Sequence, residues 1–335
     1  DGKARNSTVR SALIGKTMYR NKKISLVIPA YREEKLIDQT LSGIPDLIDR
    51  IYVVDDCSPD EQNKIIERCA ETDPRIQLLK HQVNQGPGGA IITGYLQSSK
   101  DNFDIAVVVG GDFQMNLNEV SRFLDPIIDG QADYTKGNRF LREQLEKTIG
   151  SMPKLRLIAN WLITGLTKMA SGYFNIMDVV DGYTAISKEA IDTINWSRAW
   201  KRYGYPMDFL IRLNAYCFRV KDIPRSAIYL PGVRQSQING WKYAFQVTPM
   251  LVRNFLWRLK FKYVYLDFHP LVLFYLLAFV LVPTGLLAGI GLIADKVFFE
   301  GTYITAPRTI LIALCLISGF QFFLFAMLFD REETK

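Results

Sequence analysis

The sequence predicts an α/β domain built on a mostly parallel sheet, followed by an amphipathic segment and two membrane-crossing helices. Three observations carry this. Residues 24–240 alternate short apolar runs with amphipathic stretches, the order of a parallel sheet covered on both faces. Two long uncharged runs follow, Phe268 to Ala294 and Thr309 to Phe329. Basic residues gather at the N-terminus and again just before the first of those runs.

Composition narrows the classes. The 335 residues leave room for two domains, or one with an appendage. Apolar residues at 48% and charged residues at 22% exclude disorder and coiled coil for the whole chain. A mean hydropathy of +0.03 is high for a soluble enzyme, so the apolar residues are concentrated somewhere. Cys57, Cys69, Cys217 and Cys315 share no metal-like spacing and suggest no disulfide framework. His81 and His269 lie too far apart for a His-based zinc site.

The net charge of +7 is uneven. Residues 1–23 carry seven Lys/Arg and one Asp, a basic extension. Residues 240–266 carry Lys242, Arg253, Arg258, Lys260 and Lys262 and no acid. The rest is mildly acidic. An anionic surface partner fits, and nucleic acid and phospholipid headgroups are both anionic. The uncharged runs decide for the bilayer and against nucleic acid. The first is 27 residues long; as a helix it reaches about 40 Å, against a hydrocarbon core of about 30 Å. It spans with tilt or overhang, and Pro283 is expected to kink it. The second is 21 residues long. Helices at about 268–294 and 309–329 make a hairpin within residues 267–330. The basic belt before the first span places the preceding chain, and with it both termini, in the cytoplasm. The basic N-terminus has no apolar stretch of a signal peptide after it. Trp241, Tyr243, Trp257, Tyr263 and Tyr265 interleave with the cations of 239–266, which reads as an amphipathic interfacial segment.

The elements of the 24–238 domain follow in order. ISLVIPA (24–30) is a β-branched strand, then residues 33–44 have helical spacing. RIYVVDD (50–56) is the second strand, and Pro59-Asp60 opens a helix to about Ala70. RIQLLK (75–80) is the third, and NQGPGG (84–89) leads into a helix over 90–100. DIAVVVGGD (104–112) is the fourth, followed by a helix over 118–129, and ADYTKGN is a fifth strand. Ligands of such sheets bind beyond the carboxyl ends of the strands. That singles out Pro29-Ala30-Tyr31, Asp55-Asp56, Gly86 to Gly89, and Gly110 to Gln114.

Each strand end has its chemistry. Asp55 and Asp56 suit a ribose hydroxyl or a base N–H, because an ionised carboxylate only accepts; either could instead cap the next helix. The three glycines before a helix suit an anion, although the pattern is neither GxxxxGKS nor GxGxxG. Asp112 and Gln114, two apart in extended chain, would share a side. Together with a diphosphate they could hold Mg²⁺ or Mn²⁺. Lys136, Arg139, Arg142 and Arg156 offer phosphate-binding charge, or form a solvated face.

Together these motifs closely resemble the inverting family 2 glycosyltransferases of GT-A (Rossmann-like) fold. The nearest subgroup is the polyprenyl-phosphate enzymes such as dolichyl-phosphate mannose synthases. VIPAYREE (27–34) looks like IPAYNEE, VVDDCSPD (53–60) like VVDDGSTD, and NQGPGGAI (84–91) like NxGxGxA. KGNRF (136–140) resembles GSRF, and MPKLRLIAN (152–160) resembles the segment whose Arg meets the acceptor phosphate. DVVDGYTAI (178–186) resembles DxxSGFRxF, and two membrane helices follow where this subgroup places them. The resemblance implies a hexosyltransferase using a nucleotide-sugar donor and a polyprenyl or dolichyl phosphate acceptor. It implies that Pro29, Ala30, Tyr31, Glu33, Asp55, Asp56, Gly86, Gly111 and Asp112 line the donor. Asp112 and Gln114 would hold the metal, Arg139 and Arg156 the lipid phosphate, and Asp178 would contact the sugar or order the acceptor loop. The chain departs from the pattern at Gly110, which replaces the first Asp of DxD, and at Arg32, which replaces Asn. Asp208 stands near the general base of processive relatives, so a hydroxyl acceptor with Asp208 as base is the alternative. A non-catalytic scaffold, motivated by Gly110, is a third reading. Homo-oligomerisation is left open.

Overall fold

The structure, a computed structural model, describes residues 18–140, 154–226, 240–298 and 305–334. β1 (Ile24–Ala30), β2 (Arg50–Asp55), β3 (Ile76–Lys80) and β4 (Ile105–Val108) alternate with four helices. These are α1 (Ile37–Ser42), α2 (Gln62–Thr72), α3 (Pro87–Lys100) and α4 (Val120–Ile128). After them come β5 (Tyr134–Asn138), α5 (Lys154–Ser171), β6 (Thr184–Ser187) and α6 (Lys188–Thr193). α7 (Tyr205–Ala215) and β7 (Val220–Pro224) complete the domain. The seven-stranded sheet has the order β3-β2-β1-β4-β6-β5-β7.

The first four strands are parallel, β1 pairing with both β2 and β4. β6 alone runs antiparallel, between β4 and β5, and β7 lies parallel to β5. Alternate residues face opposite layers, as strand geometry requires. Val27, Tyr52, Val54, Ala106 and Val108 pack with Ile91 and Tyr95 of α3 and Phe209 of α7. Leu26, Ile28, Ile51, Val53 and Val107 pack with Ile37 of α1 and Phe123 and Leu124 of α4. Both faces are covered, which is why these strands read as unbroken apolar runs.

Three expectations change. The fourth strand stops at Val108, so Gly110 to Gln114 is not extended chain; Phe113 sits at φ +55 in a turn. β6 and β7 were not anticipated, because both are short and interrupted by polar residues. The basic belt is not wholly a headgroup surface. It forms α8 (Gly240–Lys260) and a π-helical turn (Phe261–Leu266), and Arg258 and Lys262 are buried. Arg253 and Lys260 remain exposed.

α9 (Leu271–Phe298) and α10 (Ala306–Glu332) are each long and apolar enough to cross a membrane. The first runs past Asp295, beyond the uncharged run. They pack antiparallel through glycines. A Cβ on Gly285 would lie 2.8 Å from Leu316, and one on Gly319 2.8 Å from Val282. Such close approach is how helices associate where no hydrophobic force acts between them. Outward residues such as Leu287, Ile290, Ile293, Leu314 and Ile317 are exposed, as a lipid-facing surface would be.

Gly319→Leu should therefore overpack the hairpin and cost about 1–3 kcal/mol. The expected readout is a lower melting temperature of the detergent-purified protein. An unchanged melting temperature would show that the helices do not meet at Gly319.

Candidate active site

The strand ends are tied together before any ligand is considered. Ala30 pairs with Asp55 in register, and the Asp56 N–H donates to the Ala30 carbonyl at 3.0 Å. Asp55 and Asp56 are each only 3% exposed. The Asp55 carboxylate accepts from the Ser58 N–H, Gln62 Nε2 and Asn63 Nδ2, so it secures the start of α2. The Asp56 carboxylate accepts from the Gln85 and Gly86 N–H groups at 2.8 and 2.7 Å. His81 Nδ1 lies 2.8 Å from it, and His81 Nε2 lies 2.8 Å from the Thr93 hydroxyl. Most of the lone-pair sites on both carboxylates are therefore used by protein. In this structure they hold the loops that frame the strand ends.

The glycine-rich segment changes role for the same reason. Gly86 is buried at φ +91, and a Cβ there would lie 2.6 Å from the Lys201 carbonyl. A Cβ on Gly88 would lie 2.7 Å from the Trp200 carbonyl and from Tyr205 Cβ. The Gly89 N–H donates to the Lys201 carbonyl at 3.2 Å. These glycines let the 200–205 segment lie on the start of α3. Gly86 thus permits this packing, and the Gly86 and Gly89 N–H groups are bonded to Asp56 and to the Lys201 carbonyl.

Beside this frame is a pair of carboxylates. Gly111, whose carbonyl accepts from the Thr40 hydroxyl at 3.0 Å, brings the turn against Glu33: a Cβ on it would lie 3.3 Å from Glu33 Cγ. Burial, then Asp112 and Asp60, push the Glu33 carboxyl up to about 7. Burial also raises Asp112, against the backbone N–H of Gln114 and the charge of Arg225. Two desolvated carboxylates repelling each other are what a divalent cation relieves. The Asp112 and Glu33 carboxylates are of the kind that Mg²⁺ or Mn²⁺ binds with diphosphate oxygens completing the shell, and Gln114 follows Asp112 on the same turn rather than sharing a strand face with it. No cluster of three or more His, Cys, Asp or Glu that could hold a metal occurs among the described residues. Tyr31, 41% exposed, borders the same end of β1 under the Arg32 guanidinium. Half-buried Pro29 and buried Ala30 complete that strand.

Across the sheet, the ends of β5 and β7 and the approach to β6 meet in a charge network. Arg139 forks onto Asp178, Nε to Oδ2 at 2.6 Å and Nη2 to Oδ1 at 3.0 Å, and lies 3.2 Å from Asp181. Arg225, a residue the motifs did not flag, grips Asp181 at 2.6 Å and reaches the Gln114 carbonyl at 3.4 Å. Lys136 is fully buried and donates to the Asp181 carbonyl. Burial opposes the charge on Asp181, but Arg225, Arg139 and Lys136 hold its carboxyl down to about 2. Burial lifts Asp222, bonded to Asn138 Nδ2, to about 6. Asp178 thus orders Arg139, and Arg225 joins the network to the Asp112 turn. Arg142 lies outside the described residues; Arg156 is in the first turn of α5, and its side chain lies outside them.

Asp208 is elsewhere. It is fully buried in α7, accepting from the Trp200 N–H, Arg212 Nε at 2.8 Å and Asn254 Nδ2. Burial raises its carboxyl despite Arg212. A general base must reach the proton it takes, and this carboxylate is enclosed. Asp208 anchors α7 to α8 and the 200 loop, a structural setting that the motif reading of a base did not anticipate.

This geometry agrees with the relationships of the chain. Residues 25–194 match the glycosyl transferase family 2 model, and the chain belongs to that family. It is a glycosyltransferase. A UDP-N-acetylglucosamine–dolichyl-phosphate N-acetylglucosaminyltransferase of Methanococcus voltae is 29% identical, over 62% of this chain and 87% of that protein. A polyprenol monophosphomannose synthase of Mycolicibacterium smegmatis is 25% identical, over 59% and 75%. The fold is shared with glucosyl-3-phosphoglycerate synthase of Mycobacterium tuberculosis, solved with Mn²⁺, UDP and phosphoglyceric acid. That likeness has a TM-score of 0.50 at 16% identity and covers 71% of this chain and 79% of that one.

Two outcomes test the site. Glu33 keeps its proton in the folded state up to about pH 7 while the unfolded chain releases it near 4.5. Its stabilising share is thus full below pH 4.5 and lost as pH rises through 7. Glu33→Gln should be neutral at pH 4.5 and raise stability at pH 8 by about 1–2 kcal/mol after allowing for partial solvent screening. Equal melting shifts at both pH values would refute the raised carboxyl. Asp208→Asn should cost about 3–5 kcal/mol in denaturation, the loss of one partner of a buried pair. The folded fraction should keep its turnover within about tenfold, because no proton transfer is removed.

Proposed function

We propose that this chain transfers a hexose, with inversion, from a nucleotide-diphospho-sugar (UDP- or GDP-linked) to a polyprenyl or dolichyl phosphate in the bilayer. The product is a lipid-linked monosaccharide. The observation that carries this reading is the enclosure of Asp208 in α7, away from the strand ends, where Arg139 is held in place by Asp178. A sugar hydroxyl must be deprotonated to attack, so it needs a reachable base. A phosphate monoester is mostly dianionic at pH 7 and needs cations instead. Arg139, aimed by Asp178, and Arg156 at the start of α5 supply them.

The donor sits at the ends of β1 and β4, with Pro29, Ala30, Tyr31, Glu33, Gly111 and Asp112 around it; Asp55 and Asp56 shape the floor. Mg²⁺ or Mn²⁺ on Asp112 and Gln114 would neutralise charge on the departing diphosphate. Displacement at C1 by the phosphate oxygen inverts the centre in one step, so no side chain forms a covalent intermediate. The relatives named for dolichyl- and polyprenyl-phosphate transfer support the acceptor class. The hairpin brings the domain to the lipid, with catalytic domain and termini on the cytoplasmic side by the positive-inside rule. Among the described residues, the hydroxyl-acceptor reading finds a candidate base in Glu33, whose carboxyl lies near 7.

Initial rates with labelled nucleotide sugar and extracted polyprenyl phosphate test the reading. Transfer should stop in EDTA and return with Mg²⁺ or Mn²⁺. Arg139→Ala should lower acceptor use by roughly 10- to 150-fold, the loss of a contact worth about 1.5–3 kcal/mol. At saturating donor, Glu33→Gln should stay active on the lipid phosphate. An inactive, folded Glu33→Gln enzyme together with an active Arg139→Ala enzyme would overturn the lipid-phosphate acceptor. Salt and carbonate washing should leave the protein in the membrane fraction.

A further inference from the structure

One buried ion pair sits far in sequence from every strand end. Arg258 of α8 and Asp330 of α10 are both fully buried and meet as a two-pronged fork, at 2.8 and 2.6 Å. The Tyr263 hydroxyl donates to the same carboxylate at 2.6 Å, and the Tyr275 hydroxyl lies 3.4 Å from it. Arg258 Nη1 also donates to Asn214 Oδ1 at 3.0 Å, and Lys262 Nζ reaches that oxygen at 3.2 Å. Asn214 Nδ2 donates to the Thr334 hydroxyl at 3.1 Å. Gly172, at φ +78 just after α5, closes the node. A Cβ there would lie 2.7 Å from Arg258 Nη1 and 3.2 Å from Asp330 Oδ1.

The node therefore joins four parts of the chain: the end of α5, the end of α7, the juxtamembrane helix with its π-helical turn, and both hairpin helices. Its chemistry is not what a simple anchor needs. A carboxylate in the last turn of a helix faces the negative end of the helix dipole. Asp330 is in that position, so its burial depends on Arg258. A buried pair is a weak source of stability but a strict one for geometry, because a loosened partner leaves an unpaired buried charge. From Gly172, α5 runs back about 24 Å to the first turn that holds Arg156. The node and the acceptor-side arginine are the two ends of one helix.

We propose that the Arg258–Asp330 pair is a positioning device: it docks the hairpin rigidly on the transferase domain and sets the height at which a bilayer-held phosphate meets the strand-end cleft. This rests on the lipid-phosphate reading above. The pair touches neither substrate, so its loss should affect presentation and not chemistry.

The test compares two acceptors with the full-length protein in vesicles: a long-chain polyprenyl phosphate in the bilayer, and citronellyl phosphate, a short isoprenoid phosphate, in solution. Asp330→Asn and Arg258→Gln should lower kcat/KM for the long-chain acceptor about 100-fold, while donor KM and citronellyl phosphate turnover stay within about threefold. Arg258→Lys should recover only part, lacking the planar fork. Equal losses on both acceptors, or none on either, would overturn the proposal. A second measurement does not depend on transfer. Spin labels at Asn118→Cys and Glu333→Cys, with Cys57, Cys69, Cys217 and Cys315 replaced, should give a narrow distance distribution that broadens in Asp330→Asn. An unbroadened distribution would overturn rigid docking. A wild-type enzyme inactive on both acceptors would instead count against the proposed function, and the spin-label distances would still decide the docking.

Discussion

The desolvated carboxylate of Asp181 is the constraint on which the acceptor half of the molecule depends. It lies at the start of β6 and is satisfied by Arg225 after β7, by Arg139 after β5, and by the buried charge of Lys136 within β5. A buried carboxylate without such partners would be protonated or would unfold its surroundings. The three strand ends must therefore converge. That convergence presents Arg139 at the edge of the sheet and braces the Asp112 turn through Arg225. The antiparallel β6 makes the arrangement possible, because it delivers Asp178 and Asp181 from the strand's beginning to the edge where its neighbours end.

The donor half follows the opposite rule. Glu33 and Asp112 are left with less positive charge than their burial calls for, and both carboxyls are raised. One side of the cleft is thus saturated with cation–carboxylate pairs, and the other holds carboxylates lacking counter-charge. A divalent ion is the kind of counter-charge that the second lacks, whereas the first is already balanced within the protein. Gly110 in place of a carboxylate lowers the excess charge, and Glu33 lies close enough to add to it.

Much of the fold was legible. The first four strands were found within one to four residues because their buried faces make apolar runs that only a covered sheet requires. The hairpin was legible for the same reason in lipid, where length and lack of charge suffice. β6 and β7 were not. Their stability comes from pairing and from charge partners distant in sequence, which leave no local pattern. The motifs drew attention to the Asp112 turn and to Arg139, but Arg225, which links the two, carried no signal beyond a lone cation after a short strand. For Asp55, Asp56 and Gly86 the sequence showed the strand end but not the protein partners. Their hydrogen bonds go to Gln62, Gln85 and the 200–205 segment, a tertiary match.

The sequence by itself determined the class of fold, the membrane-crossing lengths and the family, because periodicity, apolar length and ordered motifs are local properties of a chain. Tertiary structure alone decided which charges are available. Asp208 and Arg258 look in sequence like a base and a headgroup cation. They become structural when folding removes them from water beside Arg212 and Asp330. The physical reason is that a charge's role is set by its solvation and its partner, and both come from residues up to 72 positions away.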